Sequence, residues 1–199
     1  LSFDEWNVWY KTRQLEDRRQ PGWPVAPKLI EEVYDFQDAL MVGGALIVLL
    51  NNSDRVKAAS LAQLVNVIAP IMTETGGPAW RQTTFHPFAQ AARLGHGSVL
   101  RTRIDSPTYD APAAKAAPYL CASVIDDAAN DRLVVLALNR HPTEAMDLVL
   151  DARGFGANRT VAEATQLIHK DMKAVNTKAN PDNVAPVAAI GEIAELNIG

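Results

Sequence analysis

A carboxylate among aromatic residues opens the chain, where residues 1–10 read LSFDEWNVWY. We predict that this segment is a buried strand that delivers Glu5 into an aromatic cluster, the chemistry of a sugar-cleaving site. Alternation along a strand would place Asp4 and Glu5 on opposite faces, so these two cannot form one catalytic pair. Glu5 therefore needs a second carboxyl from elsewhere.

The composition indicates a globular protein that binds neither nucleic acid nor a membrane. The 199 residues are 48% hydrophobic with a net charge of −4, and no run of Lys or Arg exceeds two residues, so a basic nucleic-acid surface is missing. The longest apolar run, residues 39–50, is twelve residues long, whereas a spanning helix needs roughly 20. The single cysteine, Cys121, favours a cytoplasmic protein and leaves a secreted one open. Because the chain opens at Leu1 without Met, we expect a piece of a longer protein.

The first half of the chain alternates strand-like and helix-like segments. A proline-rich loop is expected over Lys11–Pro27, and Asp35 is a suitable N-cap for a helix over Phe36–Leu50. Lys57–Asn66 fits either a helix or a strand buried on both faces, and periodicity alone leaves both open. Ala79–Leu94 is predicted to be a helix with a kink or a restart at Pro87.

The second half has the texture of an antiparallel sandwich, because short β-like runs recur between turn residues. We predict a domain boundary near Gly95, a loop over Ala113–Pro118 and a solvated turn over Asp126–Asp131. The predicted strands are Val99–Ile104, Tyr119–Ile125, Leu133–Asn139, Ala145–Leu150 and Thr160–Leu167.

Three motifs together resemble one family of enzymes. They are SFDEWNVWY at residues 2–10, AQLVNVIAP at 62–70 and AWRQT at 79–83, and their combination resembles glycoside hydrolase family 51, the α-L-arabinofuranosidases. The resemblance implies a (β/α)8 TIM barrel followed by a jelly-roll-like β-sandwich. Residues 1–95 would be the C-terminal part of the barrel, strands seven and eight with their helices, and residues 96–199 the sandwich. It also favours a strand, barrel strand eight, for the ambiguous segment.

The resemblance implies roles for three residues. Glu5 would be the nucleophile of a retaining, double-displacement mechanism. Trp9 would form an aromatic wall beside the sugar, and Gln63 would hydrogen-bond sugar hydroxyls. The acid/base carboxyl of such a mechanism lies about 5–5.5 Å from the nucleophile. No motif of this chain matches it, so we expect it outside these residues.

Several alternatives stay open. Glu5 could be a structural carboxylate, Trp9 a packing residue, and Gln63 a buried amide that must find hydrogen-bond partners. The activity could be that of an endo-β-1,4-glucanase, or the chain could be a non-catalytic carbohydrate-binding or assembly piece. The expected partners are an arabinose-containing oligosaccharide or polysaccharide, the missing N-terminal part of the barrel and further copies in a homo-oligomer. No cofactor is expected, and the scattered histidines predict no metal site.

Overall fold

Short strands dominate the computed structural model, which describes residues 1–10, 22–23, 25, 30–152, 154–155 and 160–189. Most of the predicted proline-rich loop over Lys11–Pro27 lies outside these residues. Within them there are two α-helices, α1 (Phe36–Asn51) and α2 (Phe85–Leu94), and a 3-10 helix (Ala128–Asn130). The strands are β1 (Ser2–Trp6), β2 (Ala58–Leu61), β3 (Ile71–Thr73), β4 (Ala79–Arg81), β5 (Ser98–Val99), β6 (Thr108–Ala111), β7 (Ala114–Pro118), β8 (Leu120–Asp127), β9 (Arg132–Asn139), β10 (Thr165–Gln166) and β11 (Val187–Ala188).

A parallel strand pair, β1 and β2, carries the motif that opens the chain. Parallel strands need a long crossover, and α1 supplies it, so these elements form a βαβ unit. The prediction of a strand in the first ten residues is confirmed, and the ambiguous segment is a strand only over Ala58–Leu61. The prediction that β1 is buried is wrong for the described residues. Most of its side chains are exposed because β2 is the only described strand that pairs with it.

Helix α1 begins where the sequence predicts. The Asp35 side chain accepts a hydrogen bond from the backbone N–H of Asp38 at 3.1 Å, and the Asp38 side chain accepts from the backbone N–H of Asp35 at 2.9 Å. This capping box satisfies N–H groups that have no partner within the helix. The helix also approaches β9 closely, since a Cβ placed on Gly44 would lie 3.2 Å from the Leu138 side chain.

A segment late in the chain, residues 171–184, returns to the start of α1, and we call it the return segment. The first two backbone N–H groups of the helix, those of Phe36 and Gln37, donate to the carbonyls of Ala174 and Met172 at 2.9 and 3.0 Å. A small hydrophobic cluster seals the contact, and its buried members are Phe36, Ala174 and Val184. The return segment is therefore part of the N-terminal cap of α1.

The predicted helix over Ala79–Leu94 is wrong in its first part. Ala79–Arg81 is β4, which pairs antiparallel with β3 across a turn in which Gly76 adopts a φ of 66°. The helix begins only at Phe85, so Pro87 is its third residue and lies in the first turn. Proline is tolerated in the first turn because no intrahelical N–H bond is lost there, and it needs no kink.

The second half is sheet-rich, with β8 at the centre of a three-stranded sheet ordered β5-β8-β9. The two predicted strands that became β8 and β9 pair over eight residues each. The strand predicted over Val99–Ile104 is restricted to β5, the one over Thr160–Leu167 to β10, and Ala145–Leu150 contains none. The predicted loop over Ala113–Pro118 is wrong, because β7 forms a hairpin with β6 there.

The turn between β8 and β9 is exposed over residues 128–131, as predicted, whereas Asp127 at the end of β8 is buried. Asp127 is only 3% exposed. Its carboxylate accepts from the Asn130 side chain at 2.8 Å and from Arg132 Nε at 2.7 Å. Local donors thus permit a buried charge at this position.

The described residues contain one parallel strand pair and no closed barrel, and the division at residues 95–96 stays a prediction. None of the helices in the described ranges is long and apolar enough to cross a membrane.

Candidate functional site

Glu5 lies near the carboxyl end of β1, next to an irregularity in the strand. Phe3 pairs with Ala59 and Trp6 with Leu61, so two residues of β1, Asp4 and Glu5, face a single residue of β2. This is a β-bulge, which re-aims side chains and is over-represented beside active sites. The rings of Phe3 and Trp6 consequently stack at 6.5 Å, on one side of the strand. The strict alternation predicted for this segment is therefore wrong.

The four residues after β1, Asn7–Tyr10, are fixed by their neighbours, and we call them the anchor segment. The Asn7 side chain donates to the carbonyls of Ala62 and Ile68. The side-chain oxygen of Asn7 accepts a hydrogen bond from the backbone N–H of Val8 at 2.8 Å. Asn7 therefore joins the end of β1 to the loop that follows β2.

Two tyrosine hydroxyls hold the remainder of the anchor segment. The Tyr34 hydroxyl donates to the backbone carbonyl of Val8 at 3.0 Å. The Tyr10 hydroxyl lies 2.6 Å from both carboxylate oxygens of Asp38, in the first turn of α1. Trp9 stands between these two fixed residues and is itself 49% exposed. The arrangement presents an indole on a rigid backbone, and such a ring can cover the apolar C–H face of a sugar.

Gln63 lies outside β2, two residues beyond its carboxyl end. The alternative that Gln63 is a buried structural amide does not hold, because its side chain is exposed, and its predicted contact with sugar hydroxyls stays a prediction. The backbone fixes its place: the N–H of Ala62 donates to the Trp6 carbonyl, and the N–H of Gln63 donates to the Ile68 carbonyl, both at 3.0 Å. Its amide is thus available to a ligand.

The three predicted site residues share one end of the parallel strand pair. Glu5 is near the carboxyl end of β1, Trp9 follows it, and Gln63 follows β2. In the part of the chain that the structure describes, no hydrogen bond or ion pair joins their side chains. In that same part, no group of three or more His, Cys, Asp or Glu residues could hold a metal ion.

A buried glutamine, Gln82, binds three backbone groups next to the candidate site. Gln82 is 1% exposed, and its side-chain nitrogen donates to the carbonyls of Glu32 and Ala69 at 2.9 and 2.7 Å. Its side-chain oxygen accepts from the backbone N–H of Tyr34 at 2.9 Å. The hydroxyl of the next residue, Thr83, lies within hydrogen-bond distance of two backbone carbonyls, that of Asp35 at 2.6 Å and that of Tyr34 at 3.1 Å. Tyr34 is therefore held through its main chain while its hydroxyl holds the anchor segment.

Burial raises the pKa values of two side chains that contact the anchor segment, Tyr34 and Asp38. Burial raises the pKa of Tyr34 above its ordinary value, and the nearby carboxylates of Glu32 and Asp38 raise it further, so the hydroxyl stays protonated and donates. Burial also raises the pKa of Asp38, against the hydrogen bond from Tyr10, which lowers it. Lys173 of the return segment lies 2.9 Å from Asp35 and offsets the adjacent negative charge.

A family model for the α-L-arabinofuranosidase C-terminal domain matches residues 4–197. The chain belongs to this family. It is 49% identical, over 88% of its own length, to an intracellular exo-α-(1→5)-L-arabinofuranosidase of Halalkalibacterium halodurans, and covers 35% of that protein. It is also 49% identical, over 94% of its length, to an enzyme of the same name from Streptomyces lividans, and covers 28% of it.

A solved structure agrees with the sequence comparison. A family 51 α-L-arabinofuranosidase from Bifidobacterium longum superposes with a TM-score of 0.78 at 38% identity, over 96% of this chain and 38% of that one. The predicted membership of family 51 is thereby confirmed. The chain spans about a third of the length of the curated relatives that it matches.

Sequence reasoning missed the residues that hold the arabinofuranosidase motif in place. Asn7 and Tyr10 lie inside the motif that opens the chain, and Gln82 lies inside AWRQT, so the motifs contained them without revealing their function. Tyr34 directly precedes the N-cap of α1, and that proximity to a helix start was the available signal. Each of these residues acts on a partner more than 25 positions away.

Proposed function

We propose that this chain is the C-terminal portion of a retaining exo-α-L-arabinofuranosidase in which Glu5 is the nucleophile. The observation that carries the proposal is the position of Glu5 at the carboxyl end of a parallel strand, beside a bulge and a fixed, exposed Trp9. Active sites of (β/α)8 barrels lie at the carboxyl ends of their strands. Family membership supports the same assignment.

The proposed architecture treats the βαβ unit as one part of a (β/α)8 barrel. Residues 1–95 then supply barrel strands seven and eight, and residues 96–199 form a jelly-roll-like sandwich. The relatives are about three times as long as the chain. A part of the protein beyond these residues would close the barrel against β1. It would also bring an acid/base carboxyl to about 5–5.5 Å from Glu5, as a retaining mechanism requires.

In the proposed reaction the Glu5 carboxylate attacks the anomeric carbon of a terminal arabinofuranosyl group. The bond to the leaving oxygen breaks as the acid/base carboxyl gives that oxygen its proton, and a glycosyl-enzyme ester forms on Glu5. The acid/base carboxyl, now a carboxylate, then takes a proton from a water molecule whose oxygen attacks the anomeric carbon. The ester bond to Glu5 breaks, arabinose is released and the Glu5 carboxylate is restored. Trp9 would cover the apolar face of the sugar, and Gln63 would hydrogen-bond its hydroxyls.

The names of the relatives suggest the substrate. Two are exo-α-(1→5)-L-arabinofuranosidases described as intracellular. We therefore propose that the protein removes terminal arabinofuranosyl groups from arabinose-containing hemicellulose fragments, in particular α-1,5-linked oligosaccharides, in the cytoplasm. A homo-oligomer is part of the same proposal.

The deciding experiment is a Glu5→Ala substitution in the full-length protein, assayed on an aryl α-L-arabinofuranoside. Loss of the nucleophile should lower kcat/KM by roughly 10³-fold or more. Added azide should restore turnover by attacking the anomeric carbon in place of the carboxylate, with a glycosyl azide as product. The neighbouring Asp4→Asn variant is the matched control and should stay within about threefold of wild type.

Substrate comparison separates the alternatives. Wild-type protein should release arabinose from α-1,5-arabino-oligosaccharide and leave a soluble β-1,4-glucan intact. Glucan cleavage would instead support an endoglucanase. Binding of the oligosaccharide without any hydrolysis, or full activity of Glu5→Ala, would contradict the proposal.

A further inference from the structure

The contact between Tyr10 and Asp38 links the candidate sugar wall to the start of α1. Tyr10 follows Trp9 directly, and its hydroxyl is 2.6 Å from both oxygens of the Asp38 carboxylate. Asp38 is buried, and within the described residues its carboxylate also accepts a hydrogen bond from the backbone N–H of Asp35 at 2.9 Å. Such charge-assisted hydrogen bonds are about twice as strong as neutral ones. Tyr10 is therefore fixed by a group that is itself rigidly placed.

The return segment extends this link to the second half of the chain. Lys173 Nζ lies 2.9 Å from the Asp35 carboxylate and 3.1 Å from the side-chain oxygen of Gln37. Asp35 and Asp38 share the capping box, so a displacement of one cap residue moves the other. A continuous chain of polar contacts thus runs from Lys173 through Asp35 and Asp38 to Tyr10.

We propose that Tyr10, acting through Asp38, is a positioning residue for the sugar wall formed by Trp9, and that Lys173 supports it from the return segment. The inference rests on the proposed function, because it assigns Trp9 a contact with the sugar. Tyr10 itself does not touch the substrate in this scheme. Its function is to hold the backbone of the anchor segment so that the exposed indole of Trp9 keeps one orientation.

The charges around Asp38 make the hydrogen bond from the Tyr10 hydroxyl important for the stability of the ionised carboxylate. Asp35 and Asp38 place two carboxyl groups at one helix N-terminus, where the helix dipole and Lys173 favour negative charge. Burial works against the ionised form of Asp38 and raises its pKa, so its few donors carry the compensation. Removing the Tyr10 hydroxyl would take away one of them, and with it the hydrogen bond that joins Tyr10 to the first turn of α1.

The test is a Tyr10→Phe variant of the full-length protein, with steady-state kinetics on α-1,5-arabinobiose. A side chain that binds the substrate equally well in the ground state and in the transition state contributes to KM and leaves kcat unchanged. We therefore expect KM to rise about tenfold while kcat stays within about twofold of wild type. Tyr119→Phe is the matched control, since this half-buried tyrosine stacks between Tyr109 and His141, away from the anchor segment. It should leave both constants unchanged.

A second pair of variants tests the supporting lysine. Lys173 is 65% exposed in its side chain, so Lys173→Met should fold, and we expect KM to rise about twofold. In a Tyr10→Phe background the same substitution should add no further change, because the two act along one path. Lys178→Met is the control: this lysine also belongs to the return segment but pairs with Glu74 at 2.6 Å, and its loss should not alter KM.

The outcomes separate the inference from the function on which it rests. An unchanged KM in Tyr10→Phe, with KM raised in Trp9→Ala, would overturn the inference and leave the function standing. A lower thermal midpoint of Tyr10→Phe with unchanged KM would likewise reduce Tyr10 to a stabilising residue. Full activity of Glu5→Ala would remove the function itself. Additive effects of Lys173→Met and Tyr10→Phe would overturn the part assigned to Lys173.

Discussion

The parallel pair β1–β2 and the antiparallel pair β8–β9 are held together in different ways. β8 and β9 pair residue by residue over eight positions without interruption. β1 and β2 share three register pairs with a bulge between them. Side chains supply the remaining order around β1: Asn7, Tyr34 and Gln82 all hydrogen-bond to backbone groups of distant segments.

The less regular strand pair is the one that carries the candidate site. A regular ladder satisfies its own backbone and leaves side chains to packing. Where a ladder is interrupted, side-chain donors must bind the backbone carbonyls that the neighbouring strand does not reach. Each donor fixes one residue of the backbone, and the side chain of the next residue can stay exposed. Trp9 is such an exposed neighbour, between Val8 and Tyr10. The pair that is less regular is therefore also the pair that can present chemistry.

The largest effect is expected from Gln82→Leu, which removes the central side-chain donor of the parallel region. All three hydrogen bonds of a buried amide would be lost, at about 1–3 kcal/mol for each buried group left unpaired, so the protein should lose about 3–9 kcal/mol of stability. Thermal and urea unfolding of the full-length protein would measure it. Because Tyr34 would lose its backbone anchor, KM should rise as well.

The control for this variant is Gln90→Leu on α2, where the side chain makes one exposed hydrogen bond to Thr165 at 3.2 Å. Its cost should stay within about 0.5 kcal/mol, as for surface substitutions generally. Equal destabilisation by the two variants would contradict the central place given to Gln82.

A smaller and purely structural effect is expected from Ile125→Ala in β8. Ile125 is fully buried, so the substitution leaves a cavity and should cost about 2–5 kcal/mol. Ile168→Ala, at an exposed isoleucine, is the matched control and should cost far less. At a temperature where Ile125→Ala is folded, KM should equal that of wild type. A raised KM would show that the two strand pairs are coupled and would weaken the contrast between them.

The sequence predicted the elements that rest on local rules. Asp35 indicated the start of α1, because an N-cap residue and its acidic partner lie three residues apart. Strands β1, β8 and β9 were predicted from their runs of strand-forming residues. Family 51 was readable from motif residues alone. The exposed position of Gln63 could not be predicted. The predicted strand included Gln63, whereas β2 ends at Leu61 and leaves the Gln63 side chain outside the sheet.

What the sequence could not show depends on partners far along the chain. The bulge in β1 exists only in register with β2, more than 50 residues later, so strict alternation was the natural expectation. The contact between Tyr10 and Asp38 spans 28 residues. Strand β4 was mistaken for the start of a helix because it is short and closely precedes α2, where helix-forming residues dominate the pattern.

The smallest effect appears only in acid and contrasts two buried aspartates. Burial raises the pKa of Asp38, whereas hydrogen bonds from Asn130 and then from Arg132 lower the pKa of Asp127. A carboxyl whose pKa is depressed in the folded protein stabilises it above the unfolded value of about 3.9, and this contribution is lost as pH falls through the folded pKa. Asp38 has the opposite sign: its contribution is greatest at low pH and is lost as pH rises through its raised pKa.

Thermal midpoints of wild type and Asp127→Asn between pH 7 and pH 3 measure the difference. Wild type should be the more stable at neutral pH, and its advantage should shrink below about pH 4 as Asp127 takes up a proton. Asp126→Asn provides the control, since the neighbouring residue of β8 lacks the contacts with Asn130 and Arg132 given for Asp127. A wild-type advantage that grew towards acid pH would mean that burial, and not the local donors, governs Asp127, and the two aspartates would then behave alike.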